Sequence, residues 1–435
     1  MRDSGQEVSP NGNEVCMILP GSVSDERVWE KIQGESIQCV VTSPPYWGLR
    51  DYGIPGQLGL EKTPEEYVAN MVEVFRFIWK KLRKDGVIWL NLGDSYYNYR
   101  PGGVAQSKQT IAKHNGAVVS ESAKRGLQQD GLKEKDLCMI PARVALALQA
   151  DGWYLRSEIV WFKRNPMPES VTDRPTKAHE MIYLLTKSPK YYYDQEAVRV
   201  PQKESSIERA HYSQIGFNKS KSASGTVNYI NNPNTIEETQ RKAIEGMGAN
   251  LKTVWDIPTQ SFNGAHFATF PEKIPELCIK AGTSEKGACS KCGSPWVRVV
   301  AKTNPLRSLN KGRNGFRPDE IKMEADKGAS SAGCVDVKTL GWKPSCKCGG
   351  YFVQSDSSRR IEKHSWYRSH WQERVAAKFP PTVPCIVFDP FAGSGTTLRV
   401  AKRMNRDFVG IELNPKYITD LIEPSLAEIN PLGLK

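Results

Sequence analysis

Val41-Thr42-Ser43-Pro44-Pro45-Tyr46-Trp47 decides the fold class of this chain. The preceding residues, Ser36-Ile37-Gln38-Cys39-Val40-Val41-Thr42, are mostly apolar and β-branched, the pattern of a strand buried on both faces of a parallel sheet. Ser43-Pro44-Pro45-Tyr46 stops that strand, because neither proline can donate to a ladder. The result is a stiff turn with outward carbonyls and an aromatic ring. At the carboxyl end of a strand, such a turn lies where open α/β sheets bind ligands.

The chemistry suited to this turn is attack by the exocyclic amino group of a base. That nitrogen is a poor nucleophile, since its lone pair is delocalised into the ring. Acceptors placed at its two hydrogens, here the Ser43 hydroxyl and the Pro44 carbonyl, would localise and aim the lone pair, and Tyr46 would stack on a base taken out of the duplex. Alone, the stretch reads equally well as an ordinary Pro-Pro turn with a core tyrosine.

A second stretch shifts that balance. Ile386-Val387-Phe388-Asp389-Pro390-Phe391-Ala392-Gly393-Ser394-Gly395-Thr396-Thr397 reads strand, tight glycine loop, helix start. Gly393 and Gly395 allow close approach of backbone to a ligand, and Thr396 or Thr397 is the expected helix cap. A helix over 398–404 and a strand over 407–411 follow, the strand ending in Glu412. An acid at that tip is where Rossmann-like units hold the ribose hydroxyls of a nucleoside cofactor.

Together, T-S-P-P-Y and D-P-F-A-G-S-G-T-T resemble the amino-group DNA methyltransferases that use S-adenosylmethionine. The catalytic motif precedes the cofactor motif, which resembles the circularly permuted β-class order. The resemblance implies an α/β Rossmann-like methyltransferase sheet, double-stranded DNA as partner, and Ser43, Pro44, Pro45 and Tyr46 as catalytic residues. It implies cofactor contacts from Asp389, Pro390, Phe391, Gly393, Gly395, Thr396 and Glu412. His266 to Glu272 resembles the segment beside the cofactor's methionine end, adding Thr269, Phe270 and Glu272, with an ordinary helix cap as the competing reading. Many relatives carry an acid near position 22 that reaches the adenine. Here Ser22 stands there, with Asp25 nearby.

Composition bounds the rest. The chain has 435 residues, 39% of them hydrophobic, and a mean hydropathy of -0.51. Two or three domains and a large core fit that length. No apolar run is long enough to cross a bilayer, and the polar first residues are unlike a signal peptide. A net charge of +12 and a pI near 9.1 suit a polyanionic partner. A cytoplasmic protein, bacterial or phage-encoded, is expected, as monomer or homodimer, with or without a cognate restriction endonuclease.

Along the chain, Glu14 to Leu19 reads as a strand. Thr63-Pro64-Glu65-Glu66 starts a helix, a capping box with proline at the first position. Tyr67, Met71, Phe75, Ile78 and Leu82 mark its buried face, and Gly86 is its expected stop. Val87 to Leu92 is the next strand; Asp94 at its tip reads as pocket acceptor or as turn former. Residues 98–136 read as a loop. Pro141 opens a helix to Ala150, and Trp153 to Phe162 is a strand with a basic tip, Lys163-Arg164, suited to phosphates or a base. His179-Glu180 precedes a strand over 181–186; without a second histidine at zinc-protease spacing, His179 reads as structural.

The expected segments are 15–199 for the catalytic half, 200–262 for target recognition, 263–285 for the cofactor-adjacent helix, 286–384 for an insert with a zinc module, and 385–430 for the cofactor half. The insert carries Cys289-Ser290-Lys291-Cys292-Gly293 and Cys346-Lys347-Cys348-Gly349. Two thiolate pairs suit one tetrahedral structural Zn2+, with uncoordinated cysteines or a redox pair as alternatives and Cys334, His364 and His370 as substitute ligands. Trp366, Tyr367, Arg368 and Trp371 read as a stacking surface or an amphipathic helix. Pro384-Cys385 has the look of a ring-carbon cytosine nucleophile, but its place at the opening of the cofactor strand marks Cys385 as a buried strand residue.

The expected reaction is methyl transfer from S-adenosylmethionine to an exocyclic amino nitrogen in DNA. Serine at the head of the motif resembles the cytosine-N4 branch; adenine-N6 is the runner-up. Protein or RNA amino methylation and a non-catalytic zinc-containing DNA-binding protein are the remaining alternatives.

Overall fold

The computed structural model describes residues 15–49, 51–97, 131–201, 248–260, 270–303, 336–348 and 380–429. The chain divides into two compact units, one of residues 1–193, 252–295 and 382–435, the other of residues 194–251 and 296–381.

The first unit is built on an eight-stranded sheet. Its order is β1 (Cys16–Pro20), β12 (Asp407–Glu412), β11 (Ile386–Asp389), β2 (Ile37–Thr42), β3 (Leu82–Leu92), β5 (His179–Thr186), β4 (Tyr154–Phe162), β6 (Val254–Asp256). Strands β1 through β3 are mutually parallel; β5 runs antiparallel to β3 and β4, and β6 is parallel to β4. Every residue of β2 and of β12 is buried, as expected of strands covered on both faces. Two strands from late in the sequence, β12 and β11, thus lie between the edge strand β1 and β2.

Helices cover both faces. On one, α1 (Glu26–Glu30), α2 (Pro64–Lys81) and α3 (Ile140–Ala150) close a core of Trp29, Tyr67, Met71, Phe75 and Ile78 against Ile37, Val40, Ile88 and Leu90. On the other, α4 (Lys273–Gly282) and α5 (Thr396–Arg403) pack on β2, β3 and β11. Gly282 is needed there, since a Cβ would sit 2.6 Å from Val87 and 2.8 Å from the Cys39 sulfur.

Helix α2 starts as its sequence indicates. The Thr63 side chain accepts from Glu66 N–H at 3.0 Å and Pro64 opens the first turn. The reciprocal bond of the box is displaced by one residue, because Glu66 accepts from Lys62 N–H at 3.0 Å rather than from Thr63. The end of α2 differs from expectation. The helix stops at Lys81 and β3 begins at once with Leu82, so Gly86 lies inside the strand. The register with β2 shifts between Ile37 and Cys39, and a Cβ on Gly86 would lie 3.0 Å from the Gln38 carbonyl. Gly86 therefore serves a bulge and a close backbone approach, not a helix stop.

A short ribbon of β7 (Ala288–Cys289) and β10 (Thr382–Val383) completes the first unit. In the second unit, β8 (Trp296–Thr303) pairs antiparallel with β9 (Asp336–Pro344). There Arg298 donates to the Asp194 carboxylate at 3.0 Å and lies over the Trp342 ring at 4.4 Å.

Candidate active site at the carboxyl edge of the sheet

Strands β2 and β11 are hydrogen-bonded neighbours running the same way, with Val387 opposite Cys39 and Phe388 opposite Val40. The chain leaves β2 toward β3 on one side and β11 toward β12 on the other. Their carboxyl ends therefore flank a topological switch point, the crevice in which open α/β sheets bind ligands. Thr42 Oγ1 donates to Asp389 Oδ1 at 2.7 Å, tying the foot of Ser43–Tyr46 to the foot of the glycine loop.

On the cofactor side, Gly393 and Gly395 have φ of 55° and 78°, the left-handed region that favours glycine. A Cβ on Gly395 would also lie 3.0 Å from Ile422. Gly395 itself is the N-cap of α5 and no side chain caps the helix. This corrects the expectation for Thr396 and Thr397: both are buried within the first turn, Thr396 against Ser394 Oγ at 3.2 Å and Thr397 donating to the Val41 carbonyl at 3.2 Å. Pro390 is buried and Phe391 half-buried beside them.

Glu412, at the tip of β12, is 8% exposed. Its Oε2 accepts from Gly393 N–H at 2.7 Å and its Oε1 from Asn414 N–H at 2.8 Å. Burial outweighs these bonds and pushes its carboxyl up to about 7. The Asp389 carboxylate, raised to about 6 by burial, is turned to Thr42 and to Phe391 N–H. It fixes the foot of the loop at Phe391, whereas Glu412 holds the loop at Gly393. A glycine-lined backbone and an acid already held by two N–H groups fit the sugar and amino-acid portions of a nucleoside cofactor. Phe270 is half-buried ahead of α4; Thr269 lies outside the described residues. Asp25 is committed elsewhere, capping α1 and pairing with Arg27 at 2.8 Å.

On the base side, the turn is clamped from three directions. Tyr67 of α2 donates its hydroxyl to the Pro45 carbonyl at 2.9 Å, Trp47 Nε1 donates to the Glu61 carbonyl at 3.0 Å, and Gly48 N–H donates to Gly59 at 2.9 Å. Gly93 meets the Tyr46 ring so closely that a Cβ would lie 2.4 Å from Cε2. The Tyr46 hydroxyl lies 3.1 Å from Ser43 Oγ, donates to Glu180 Oε2 at 2.7 Å and accepts from Asn91 Nδ2 at 2.9 Å. Burial, then the Glu180 charge, push the Tyr46 hydroxyl well above its ordinary pKa, so it stays protonated.

The sequence reading gives no site role to Asn91, Glu180 or Gly93, and places Tyr67 in the core stripe of α2 without its bond to the turn. Asn91 is the one polar residue in the run Val-Ile-Trp-Leu-Asn-Leu, and that anomaly was the available signal. Glu180 lies inside β5, which begins at His179, two residues earlier than expected. The basic tip of β4 is less open than its sequence suggests: Lys163 pairs with Glu180, and Arg164 pairs with Asp256 at 2.7 Å. Asp94 turns out to be a helix cap, accepting from Ile140 N–H at 2.9 Å and Ser95 N–H at 3.0 Å. Cys385 is fully buried, its thiol pushed up to about 11 by burial and directed at the Ser284 carbonyl, so it is no nucleophile.

A family model described as DNA methylase, of the N6/N4 amino type, matches residues 37–289 and 385–423, thereby spanning both edges of the crevice. The chain belongs to the N6/N4 DNA methylases. This methylase is 38% identical over 288 residues to Type II methyltransferase M.SmaI of Serratia marcescens, covering 66% of the chain and 81% of that protein. It is 32% identical over 425 residues to Type II methyltransferase M.SfiI of Streptomyces fimbriatus, covering 91% and 88%. The solved PvuII DNA methyltransferase (cytosine-N4-specific) aligns over 98% of this chain and 92% of its own at 15% identity with a TM-score of 0.44. The methylase thus uses S-adenosylmethionine to methylate an exocyclic amino group in DNA. Among the described residues no helix is long and apolar enough to cross a membrane.

The cysteines sit on tight turns. In the first unit, Gly293 (φ 69°) donates to the Cys289 carbonyl at 2.7 Å, and Cys289 and Cys292 bring their sulfurs within 4.8 Å. In the second unit, Cys346 and Cys348 follow β9 and do the same. Cys334, His364, His370 and the aromatic cluster at 366–371 lie outside the described residues.

Proposed function

We propose that this methylase is specific for the N4 of cytosine. The observation that carries the reading is the hydroxyl at Ser43, fixed at the head of the Pro-Pro turn and next to the glycine loop through the Thr42–Asp389 bond of 2.7 Å. A neutral hydroxyl and the Pro44 carbonyl would accept the two amino hydrogens, and the Tyr46 ring would stack on the flipped base. S-adenosylmethionine supplies the electrophilic methyl group. Glu412 would hold its ribose hydroxyls, with Gly393, Gly395, Pro390, Phe391, Thr396 and Phe270 around it and Thr269 beside it in sequence; Asp389 holds the loop in shape. Catalysis then comes from orientation and lone-pair activation, with no covalent enzyme intermediate.

The surrounding organisation belongs to the same proposal. Residues 200–262 would read the target sequence; 202–247 and 261–262 of these lie outside the described residues. Cys289, Cys292, Cys346 and Cys348 would hold one structural zinc. The support is the donor set: each cysteine pair sits on a tight turn with its sulfurs close together, and two such pairs would supply the four thiolates that a closed structural zinc site takes.

Single-turnover methylation by Ser43→Ala, with S-adenosylmethionine binding measured separately, tests the base site. Transfer is expected to fall by about 100-fold with cofactor affinity unchanged, the scale of losing one preorganised hydrogen-bonding group aimed at the reacting atoms. Wild-type transfer by Ser43→Ala would remove Ser43 from the mechanism.

A further inference from the structure

The hydrogen-bond chain behind Ser43 has a direction, and one residue sets it. Glu180 Oε2 receives both the Tyr46 hydroxyl at 2.7 Å and Asn91 Nδ2 at 2.9 Å. Its Oε1 is taken by Lys163, whose ammonium also lies over the Trp161 ring at 4.8 Å. A carboxylate accepts only. The Tyr46 proton therefore points at Glu180, and the Asn91 amide must face it with its nitrogen. The single Tyr46 proton being used, the 3.1 Å contact between Ser43 Oγ and Tyr46 has Ser43 as donor. Asn91 Nδ2 at 3.4 Å from Ser43 Oγ is a long second contact.

We propose that Glu180 is a positioning residue for methyl transfer: through Tyr46 it turns the Ser43 hydrogen away from the base and presents the Ser43 oxygen to the substrate amino group as an acceptor. This matters because a hydroxyl is ambivalent. A Ser43 hydroxyl aimed as donor at the amino nitrogen would tie up the lone pair that must attack. Without a fixed polarity, only a fraction of encounters would present the acceptor, and the apparent rate falls by that fraction. Glu180 lies on β5, outside the Ser43–Tyr46 motif, and its side chain is 13% exposed, so this fixed dipole is shielded from solvent. The Asn91 Oδ1 atom is buried with no partner among the described residues, consistent with the amide orientation being dictated by Glu180 rather than by its own best satisfaction.

The inference rests on the base-site reading of Ser43. It is tested by a double-mutant cycle on single-turnover transfer with Glu180→Gln, Tyr46→Phe and the pair. Glutamine can donate as well as accept, so it scrambles the chain; phenylalanine keeps the ring and deletes the relay. Each single change is expected to slow transfer about tenfold, the equivalent of one hydrogen bond's preference, with S-adenosylmethionine Kd and DNA KM changed less than about threefold. The double variant should be no slower than the slower single, because both break one chain. Multiplying losses, wild-type transfer by Glu180→Gln, or a loss confined to KM would overturn the assignment. Should Glu180→Gln fail to fold, Tyr46→Phe decides alone: a tenfold loss supports the relay and a wild-type rate rejects it. Ser43→Ala separates the two readings. If it is inactive while Glu180→Gln is wild type, only the relay falls; if Ser43→Ala is fully active, the base site itself is misplaced.

Discussion

Replacing Gly93 by alanine adds one methyl group, and the structure fixes where it goes. The new Cβ would lie 2.4 Å from Cε2, 2.6 Å from Cδ2 and 3.2 Å from Cζ of Tyr46. Contacts below 3 Å do not persist, so the ring or the backbone must move by about 1 Å to reach ordinary carbon–carbon separation. The ring has little freedom. Its hydroxyl is held by Glu180 at 2.7 Å and Asn91 at 2.9 Å, and the turn behind it by Tyr67 at 2.9 Å from the Pro45 carbonyl. Overpacking of this kind costs about 1–3 kcal/mol of stability. The larger effect is on chemistry, since a displacement near 1 Å at a base-positioning surface costs about 100-fold in rate. Gly93→Ala should therefore fold, bind S-adenosylmethionine with unchanged Kd, and methylate DNA about 100-fold more slowly under single-turnover conditions. Quenching of 2-aminopurine placed at the target base reports the stacking separately and should weaken in parallel. A Gly93→Ala protein with wild-type transfer would refute the claim that the Tyr46 ring must sit where it does.

Other consequences follow from the same geometry. Glu412, ordinarily near 4.5, is raised to about 7, so its burial penalises the ionised form. The stability it contributes is therefore complete below about pH 4.5 and lost as pH rises through 7, by roughly 3 kcal/mol in the cofactor-free protein. Ribose hydroxyls donate to the charged form, so S-adenosylmethionine affinity measured by calorimetry should increase from pH 6 to 8, and Glu412→Gln should bind weakly with a flat profile. Gly395→Ala, forced into φ 78° with Ile422 at 3.0 Å, should lower stability by about 1–3 kcal/mol and weaken cofactor binding; unchanged melting and Kd would show that the loop relaxes freely. Metal analysis of the purified protein should find one zinc per chain, absent from Cys289→Ser and Cys348→Ser. Zinc-free wild-type protein with intact thermal stability would dispose of the structural metal.

What the sequence discloses here is whatever is encoded locally. The all-apolar run of β2, the Thr63 cap, and the glycines before α5 each act on their own neighbours, and each is found where the pattern places it. The two motifs, separated by more than three hundred residues, become one site only because β11 inserts beside β2. Membership of a family with both motifs made that pairing legible; hydrophobic periodicity alone would not. The residues that sequence reading passed over are those acting through long-range contacts. Glu180 reaches Tyr46 across 134 positions and Asn91 reaches it across 45. The misreadings have the same origin. Gly86 breaks helices in isolation, yet pairing of β3 with β2 holds it in an extended bulge. Thr396 and Thr397 have good capping side chains, but tertiary packing buries them and leaves a left-handed glycine at the cap.

The most direct measurement is mass spectrometry of nucleosides from DNA incubated with the pure protein and S-adenosylmethionine carrying a deuterated methyl group. The account predicts the label in N4-methylcytosine. Label in N6-methyladenine would retain the site and overturn the base assignment, and label in neither, on varied DNA with cofactor binding verified, would contradict the account itself.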